Sequence, residues 1–143
     1  MRISAKSHYA CKALAELAGE WPNPKPLNIE IIAKKNQIPA KYLAQILIQL
    51  KNAGIVKSLR GQEGGYVLAK APGQISLAEV LRLLGEPIVS RPNTTKKFKD
   101  KDNVFAGIWE KMDRVLTRAL EEETFDRIGK IALRAKRQIN YYI

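Results

Sequence analysis

The chain has very few residues of the types that build disulfides or metal sites. Its 143 residues contain one cysteine, Cys11, and one histidine, His8. A single cysteine excludes an internal disulfide and indicates a reducing compartment, so we expect a cytoplasmic protein. The sequence also lacks an apolar run of about 18 residues and the apolar stretch of a signal peptide. We therefore expect no membrane-spanning segment.

Paired catalytic groups are also lacking. No nucleophile and base stand at a recognisable spacing, and the acidic run 121–123 at a helix end is typical of a solvated surface. The glycine-rich segment 61–65 is not followed by the lysine, serine and helix of a phosphate-binding loop. The sequence therefore predicts that the chain is not an enzyme.

Acidic residues are scarce compared with basic ones. The chain has 25 Lys+Arg and 14 Asp+Glu, which gives a formal net charge of +11 and favours polyanionic partners. The stretch 31–62 has no acidic residue and contains Lys34, Lys35, Lys41, Lys51, Lys57 and Arg60. Solvated surfaces normally mix both signs of charge. This stretch therefore predicts a surface that neutralises phosphates.

The same stretch has the pattern of two short helices joined by a tight turn. Asn28 is the expected N-cap of the first helix, which ends near Asn36, and Pro39 stands in the first turn of the second. The second helix, ended by Gly54, places Tyr42, Leu43, Ile46, Leu47, Leu50 and Ala53 on one side. Its other side carries Lys41, Ala44, Gln45, Ile48 and Asn52. This is the helix-turn-helix pattern.

A β-hairpin follows directly after the second helix. Segments 55–60 and 66–69 have strand character, and the glycine-rich segment 61–65 joins them. A hairpin in this position is a wing. The expected fold class is mainly α with a small β-hairpin: a winged helix-turn-helix domain plus a long dimerisation helix.

Helical patterns occur on both sides of this unit. Residues 3–19 predict a first helix with Ser4 as N-cap, and residues 75–84 predict a helix with Ser76 as N-cap and Glu79 in the capping box. We expect a DNA-binding domain over 1–86 and a basic loop over 87–102.

The segment 103–143 is expected to hold a dimerisation helix to about Glu123 and a C-terminal helix over 125–142. The first of these has an apolar stripe too long for so small a domain to bury alone. The stripe predicts a dimer interface formed by Phe105, Ile108, Trp109, Met112 and Leu116. The alternative is that it packs against the chain's own core.

Several segments together resemble the Rrf2 family of bacterial transcriptional regulators. The opening MRISAKSHYACKALAELA is similar to the first helix of that family. The run IPAKYLAQILIQLKNAGIVKSLRGQEGGYVLAKAPGQISLAEVLRLL is similar to its recognition helix, wing and following helix. The resemblance is strongest over residues 1–86 and covers the dimer helix by pattern rather than identity.

The resemblance implies a homodimer that binds double-stranded DNA at a pseudo-palindromic operator, with repression as the expected effect. It implies that the recognition helix enters the major groove and the wing the minor groove. Lys41 and Ala44 would face the groove, Arg60 would be the wing arginine, and Tyr42 and Tyr66 would hold the module together. Many members have a glutamate where this chain has Ala44, and Gln45 could substitute in base recognition. The expected DNA-binding residues are Lys41, Ala44, Gln45, Ile48, Lys57, Arg60 and Gln62.

Many family members hold an iron–sulfur cluster through three cysteines in the loop before the dimer helix. Here that loop, RPNTTKKFKDKDNVF, has neither cysteine nor histidine. We therefore expect no cofactor, with two alternatives: a thiol switch at Cys11, or an unorthodox cluster or metal site that uses His8 and Cys11. Without a cofactor, a protein partner or a small-molecule effector would supply the signal to which the regulator responds.

Two other classes of protein remain as alternatives. A non-specific nucleic-acid-binding protein would use the same charge without sequence preference. A winged-helix protein–protein module would bind DNA weakly and without salt dependence.

Overall fold

The computed structural model describes residues 1–88 and 104–142. Within these ranges the chain forms six α-helices and one antiparallel hairpin. The helices are α1 Ala5–Ala18, α2 Ile29–Asn36, α3 Ala40–Asn52, α4 Leu77–Leu83, α5 Val104–Glu122 and α6 Phe125–Tyr142. The hairpin consists of β1 Val56–Leu59 and β2 Gly65–Leu68. The expected mainly α fold with a small hairpin is confirmed. Most of the expected basic loop, and Asn103, lie outside the described residues.

Three helices begin at the polar residues expected to cap them. The side chain of Ser4 accepts a hydrogen bond from the backbone N–H of Ser7, and Ser76 accepts one from Glu79. Asn28 caps α2 in the same way. Each bond satisfies a backbone donor that the first helical turn leaves without a partner. Ile3 consequently lies before α1 rather than within it.

The turn between α2 and α3 is closed by backbone geometry. Gln37 adopts the left-handed conformation, with φ 55° and ψ 45°. The N–H of Ile38 then donates to the carbonyl of Ala33 at 2.9 Å, as in a Schellman cap. The ammonium of Lys12 in α1 donates to the carbonyl of Asn36 at 2.7 Å. These bonds fix the angle at which α3 leaves α2.

The buried side of α3 is close to the expected one. Leu43, Ile46, Leu47 and Leu50 are fully buried and join the main core. The expectation for Ala53 is wrong, because this residue is the exposed C-cap of the helix. Gly54 follows it with φ 75°, so the glycine lies one position beyond the cap.

The wing is held to the rest of the domain by a third backbone segment. The N–H of Leu27 donates to the carbonyl of Tyr66 at 3.0 Å, and the N–H of Tyr66 donates back at 2.9 Å. This bridge lies on the side of β2 opposite to β1. At Gly65 an added Cβ would lie 2.4 Å from the carbonyl oxygen of Leu27. Only glycine therefore permits this approach.

The C-terminal helix packs on the N-terminal one. Phe125, at the start of α6, is fully buried in the main core together with residues of α1, α3 and α4. Gly129 allows close contact, since a Cβ there would lie 3.0 Å from the Cβ of Ala18. The N–H of Leu77 donates to Glu123, and the N–H of Phe125 donates to Ile75. The first half of α6 is thus built into the core of the winged-helix domain.

The long helix α5 is attached at its C-terminal end. Leu120 packs with Ala78 and Leu81 of α4, and Leu116 lies against the same cluster. The N-terminal part of α5 is exposed in the single chain. No helix in residues 1–88 and 104–142 has the length and hydropathy needed to cross a bilayer.

Candidate nucleic-acid interface

An open cleft of about 600 Å³ separates the start of α3 from the wing. The first turn of α2 and the bridged residue Tyr66 also line it. The lining residues are Asn28, Ile29, Glu30, Ala40, Lys41, Ala44, Leu59, Arg60, Gly61, Gly64, Gly65 and Tyr66. Both the first turns of α3 and the tip of the hairpin are therefore accessible from one side of the molecule.

Three of the residues expected to contact DNA meet in this cleft. Lys41 and Ala44 line it from α3, and Arg60 lines it from the wing. Gln45 and Ile48 lie farther along the exposed side of α3. A helix that presents its first turns beside a wing carrying an exposed arginine has the shape needed to enter a groove while the wing follows the backbone.

The two other expected contacts, Lys57 and Gln62, lie on the hairpin outside the lining of the cleft. Both residues are exposed, Lys57 within β1 and Gln62 in the loop between the strands. Because they lie outside the cleft that exposes the start of α3, we expect them to contact phosphates rather than base edges.

The lysines and the arginine of segment 31–62 fall into two groups, those with a partner in the domain and those without an ion pair. Lys35 forms an ion pair with Glu16 at 3.4 Å, and the ammonium of Lys51 donates to the hydroxyl of Ser58 at 2.8 Å. These two side chains therefore have partners within the domain. Lys34, Lys41, Lys57 and Arg60 form no ion pair with any residue in the described ranges, and all four are exposed. These four cations are therefore available to phosphates.

The sequence did not reveal the contribution of α2 to the cleft. Asn28 and Glu30 reach it because the Leu27–Tyr66 bridge places the first turn of α2 beside the wing. Glu30 is the only acidic residue among those that line the cleft. No local pattern relates these residues to segment 61–66, so only the fold brings them together.

The comparisons with known proteins agree with this geometry. Residues 3–130 match the model of the family "Rrf2: Iron-dependent Transcriptional regulator". The chain belongs to the Rrf2 family. It is 39% identical over 121 residues to the HTH-type transcriptional regulator slr0846 of Synechocystis sp., covering 84% of this chain and 82% of that one. The chain is thus a DNA-binding transcriptional regulator and not an enzyme.

Solved structures of related regulators share the fold of this Rrf2 protein. The structure of CymR, titled the global cysteine regulator of B. subtilis, has a TM-score of 0.79 at 29% identity and covers 92% of this chain and 98% of that chain. The structure of T. potens IscR has a TM-score of 0.74 at 29% identity and covers 92% and 88%. The winged helix-turn-helix architecture expected from the sequence is confirmed.

In this Rrf2 protein the two tyrosines expected to hold the module together are both partly buried. Tyr42 packs edge-on against Tyr9 of α1, with ring centroids 5.7 Å apart. Tyr66 packs on the main core and carries the bridge to Leu27. Both side chains contact the domain itself.

In the Rrf2 chain, the two residues considered for an unorthodox cluster or metal site lie in different surroundings. His8 is exposed on α1, whereas Cys11 is half-buried and packs on the main core. Burial raises the pKa of the Cys11 thiol to about 11. In the part of the chain that the structure describes, no three residues among histidine, cysteine, aspartate and glutamate lie close enough to hold a metal ion.

The residues expected at a dimer interface fall into two groups. Phe105 is 66% exposed and Met112 is 55% exposed, and Ile108 and Trp109 are also exposed. Leu116 is half-buried against the α4 cluster. One end of the stripe is therefore covered by the chain itself, while the other end is open to solvent.

Proposed function

We propose that this regulator is a homodimer that binds a pseudo-palindromic operator and represses transcription from it. The observation that carries the dimer is the exposed apolar face of α5, which lies on the N-terminal side of Leu116, the residue packed against the α4 cluster. Isolated exposed apolar residues are common, but a helix face with Phe105, Ile108, Trp109 and Met112 together is the signature of an interface. A second copy of α5 has the same apolar face and covers it by two-fold symmetry.

Two-fold symmetry determines how the DNA would be contacted. Each protomer presents one α3 and one wing, so the operator needs two half-sites related by the same axis. The half-site centres then lie one helical turn, about 34 Å, or a multiple of it apart. Lys41, Ala44, Gln45 and Ile48 would face the major groove. Lys57, Arg60 and Gln62 would follow the backbone or the minor groove.

We propose that the regulator works without an iron–sulfur cluster. Such clusters are held by several thiolates, and the whole chain contains one cysteine. The donor set therefore does not fit the cofactor that the family description implies. The half-buried position and raised pKa of Cys11 also argue against a thiol switch. The signal would come from a small molecule or a partner protein in the cytoplasm.

Two measurements on the full chain test this proposal. Sedimentation equilibrium should give a dimer at micromolar concentration. Selection from random duplexes, followed by competition at moderate salt, should give an operator preferred over random DNA by at least about 10³-fold. A reporter placed behind that operator should be repressed. Equal affinity for operator and random DNA would instead identify a non-specific nucleic-acid-binding protein.

The absence of a cluster is tested on protein purified without oxygen. Iron and acid-labile sulfide should both be far below one equivalent per chain, while operator binding is retained. Stoichiometric iron and sulfide would overturn this part of the proposal and make His8 and Cys11 the first ligands to examine.

A further inference from the structure

The exposed side of α3 carries an apolar strip within a polar and basic surface. Ala40, Ala44 and Ile48 are spaced four residues apart, so they lie on one line along the helix. Ile48 is 54% exposed although it is a large aliphatic side chain. Contact between this side chain and water in the free protein is unfavourable, so a partner that covers the strip would gain free energy by burying it.

The surroundings of the strip indicate what that partner is. Lys41 and Gln45 flank it on the same exposed side of α3, and Lys41 has no ion pair among the described residues. A protein partner would have to bury that cation beside Ile48. A DNA major groove neutralises the cation with phosphates and offers apolar groups to the strip at the same time.

Only one apolar group projects from base pairs into the major groove. It is the C5-methyl group of a pyrimidine, which thymine carries and unmodified cytosine lacks. Ala44 cannot accept a hydrogen bond from a cytosine amine, and the exposed polar residues next to it on α3, Lys41 and Gln45, include no carboxylate. Ala44 and Ile48 themselves present only apolar groups to the base edges, which suits contact with a methyl group, while Gln45 is the neighbouring side chain that can accept from a cytosine amine.

We propose that Ala44 and Ile48 recognise pyrimidine C5-methyl groups in each half-site of the operator. This inference rests on the proposed function and specifies its base preference. Each half-site should therefore contain a thymine opposite the Ala44–Ile48 segment. 5-Methylcytosine carries the same methyl group and would be accepted at that position if the methyl group alone is recognised.

The test replaces each operator thymine by deoxyuridine, which removes only the methyl group. At one symmetry-related pair of thymines, affinity should fall about fourfold per half-site and about 15-fold for both, as expected for loss of one buried methyl-sized group. Less than a twofold effect at every thymine of an operator that is still bound specifically would overturn the inference and leave the proposed function intact. Failure to select any operator would overturn the proposed function first.

Two matched variants test whether the loss of affinity on deoxyuridine substitution comes from the apolar strip. Ile48→Ala should bind the thymine and deoxyuridine operators with affinities within twofold of each other, because the side chain that contacts the methyl group has been shortened. Ile31→Ala is the control, since Ile31 is 48% exposed on α2 and lies outside the strip. It should keep the full deoxyuridine effect. Loss of the effect in both variants, or in neither, contradicts the assignment to Ile48.

Cytosine and 5-methylcytosine at the same position identify the source of the methyl group. If 5-methylcytosine binds as tightly as thymine and cytosine binds about fourfold more weakly, the methyl group alone is recognised. If 5-methylcytosine binds as weakly as cytosine while deoxyuridine also weakens binding, recognition requires thymine and uses its O4 as well. Equal binding of thymine, deoxyuridine and cytosine overturns the inference.

Discussion

The carboxylate of Glu16 in α1 forms an ion pair with the ammonium of Lys136 in α6, so the last turn of the first helix is joined to the last helix. The same carboxylate also pairs with Lys35 of α2. The side chain of Glu16 is 10% exposed, whereas both lysines remain about half exposed. One acidic residue therefore connects three helices.

This arrangement predicts a contribution to stability that depends on pH. Burial alone would raise the pKa of Glu16, but the hydrogen bond and charge of Lys136 and the charge of Lys35 together lower it below the ordinary value of 4.5. The folded pKa is thus below the unfolded one. The contribution is fully present above about pH 4.5 and is lost as the pH falls through the folded pKa.

Glu16→Gln should lower the free energy of unfolding at pH 7 by roughly 1–2 kcal/mol, because it removes charge-assisted hydrogen bonds. Urea unfolding at pH 7 and at pH 4 measures both effects, and the difference between parent and variant should shrink at the lower pH. The control is Glu20→Gln, since Glu20 forms no ion pair with any residue in the described ranges and should be neutral. An equal loss from both variants would contradict the role of Glu16.

Arg60→Ala should weaken operator binding without affecting the dimer. Arg60 is exposed at the wing and has no ion pair among the described residues, so its charge is available to DNA. Affinity at moderate salt should fall about tenfold, and the slope of log affinity against log salt should fall by about 2 for the two wings. Fluorescence anisotropy over a salt series gives both values. Lys130→Ala, at an exposed position of α6, is the matched control and should keep the parental affinity. Parental affinity of Arg60→Ala would make the wing assignment wrong.

Met112→Asp should produce a monomer. A charge placed on the exposed apolar face of α5 would have to be buried in the dimer without a partner, which costs several kcal/mol. Sedimentation equilibrium measures the effect, and operator affinity should fall with dimerisation. Gly107→Asp places the same charge on the same helix away from the stripe, where an added Cβ meets nothing within 4 Å. This control should remain dimeric; a dimeric Met112→Asp would show that the stripe is not the interface.

Gln37→Gly should stabilise the domain. Gln37 has a φ of 55°, which is unfavourable for residues with a Cβ and neutral for glycine. We expect a gain of about 0.5–1 kcal/mol, because the relief of strain exceeds the added flexibility of the unfolded chain. Lys34→Gly, three residues earlier in the helical part of α2, should instead cost about 1 kcal/mol. Chemical denaturation of both variants checks the opposite signs.

The Cys11 thiol should react slowly in the folded protein. With a pKa of about 11, roughly one thiol in a thousand is ionised at pH 8. Labelling with an aromatic disulfide reagent should be at least about 100-fold slower in buffer than in denaturant. Cys11→Ala should keep operator binding under oxidising and reducing conditions. Rapid native labelling, together with loss of DNA binding on oxidation, would restore the thiol switch.

Features determined by neighbouring residues could be predicted from the sequence. The side chains of the N-caps Ser4, Asn28 and Ser76 each accept a hydrogen bond from a backbone N–H two or three residues later. The residue that predicts the start of the helix and the bond that it forms therefore lie in one short segment. The bounds of α6 match the expected helix over 125–142, whose apolar residues Ile128, Ile131, Ala135 and Ile139 recur at helical spacing. The buried side of α3 followed from its spacing in the same way.

Features that depend on distant segments could not be predicted in this way. The helix at 125–142 was expected, but nothing in its pattern indicated that Gly129 would pack against Ala18 or that Lys136 would reach Glu16. Likewise, Glu30 joins the cleft between α3 and the wing only through the bridge between Leu27 and Tyr66. These contacts depend on how the helices pack, which local periodicity does not encode.

The backbone bonds between segments 75–77 and 123–125 make the corner between α5 and α6 a rigid joint. In the proposed dimer, each winged-helix domain would then be fixed to one end of α5, a helix of 19 residues and about 28 Å. A small change in the angle at which the two α5 helices cross would change the separation of the two recognition helices by several ångströms.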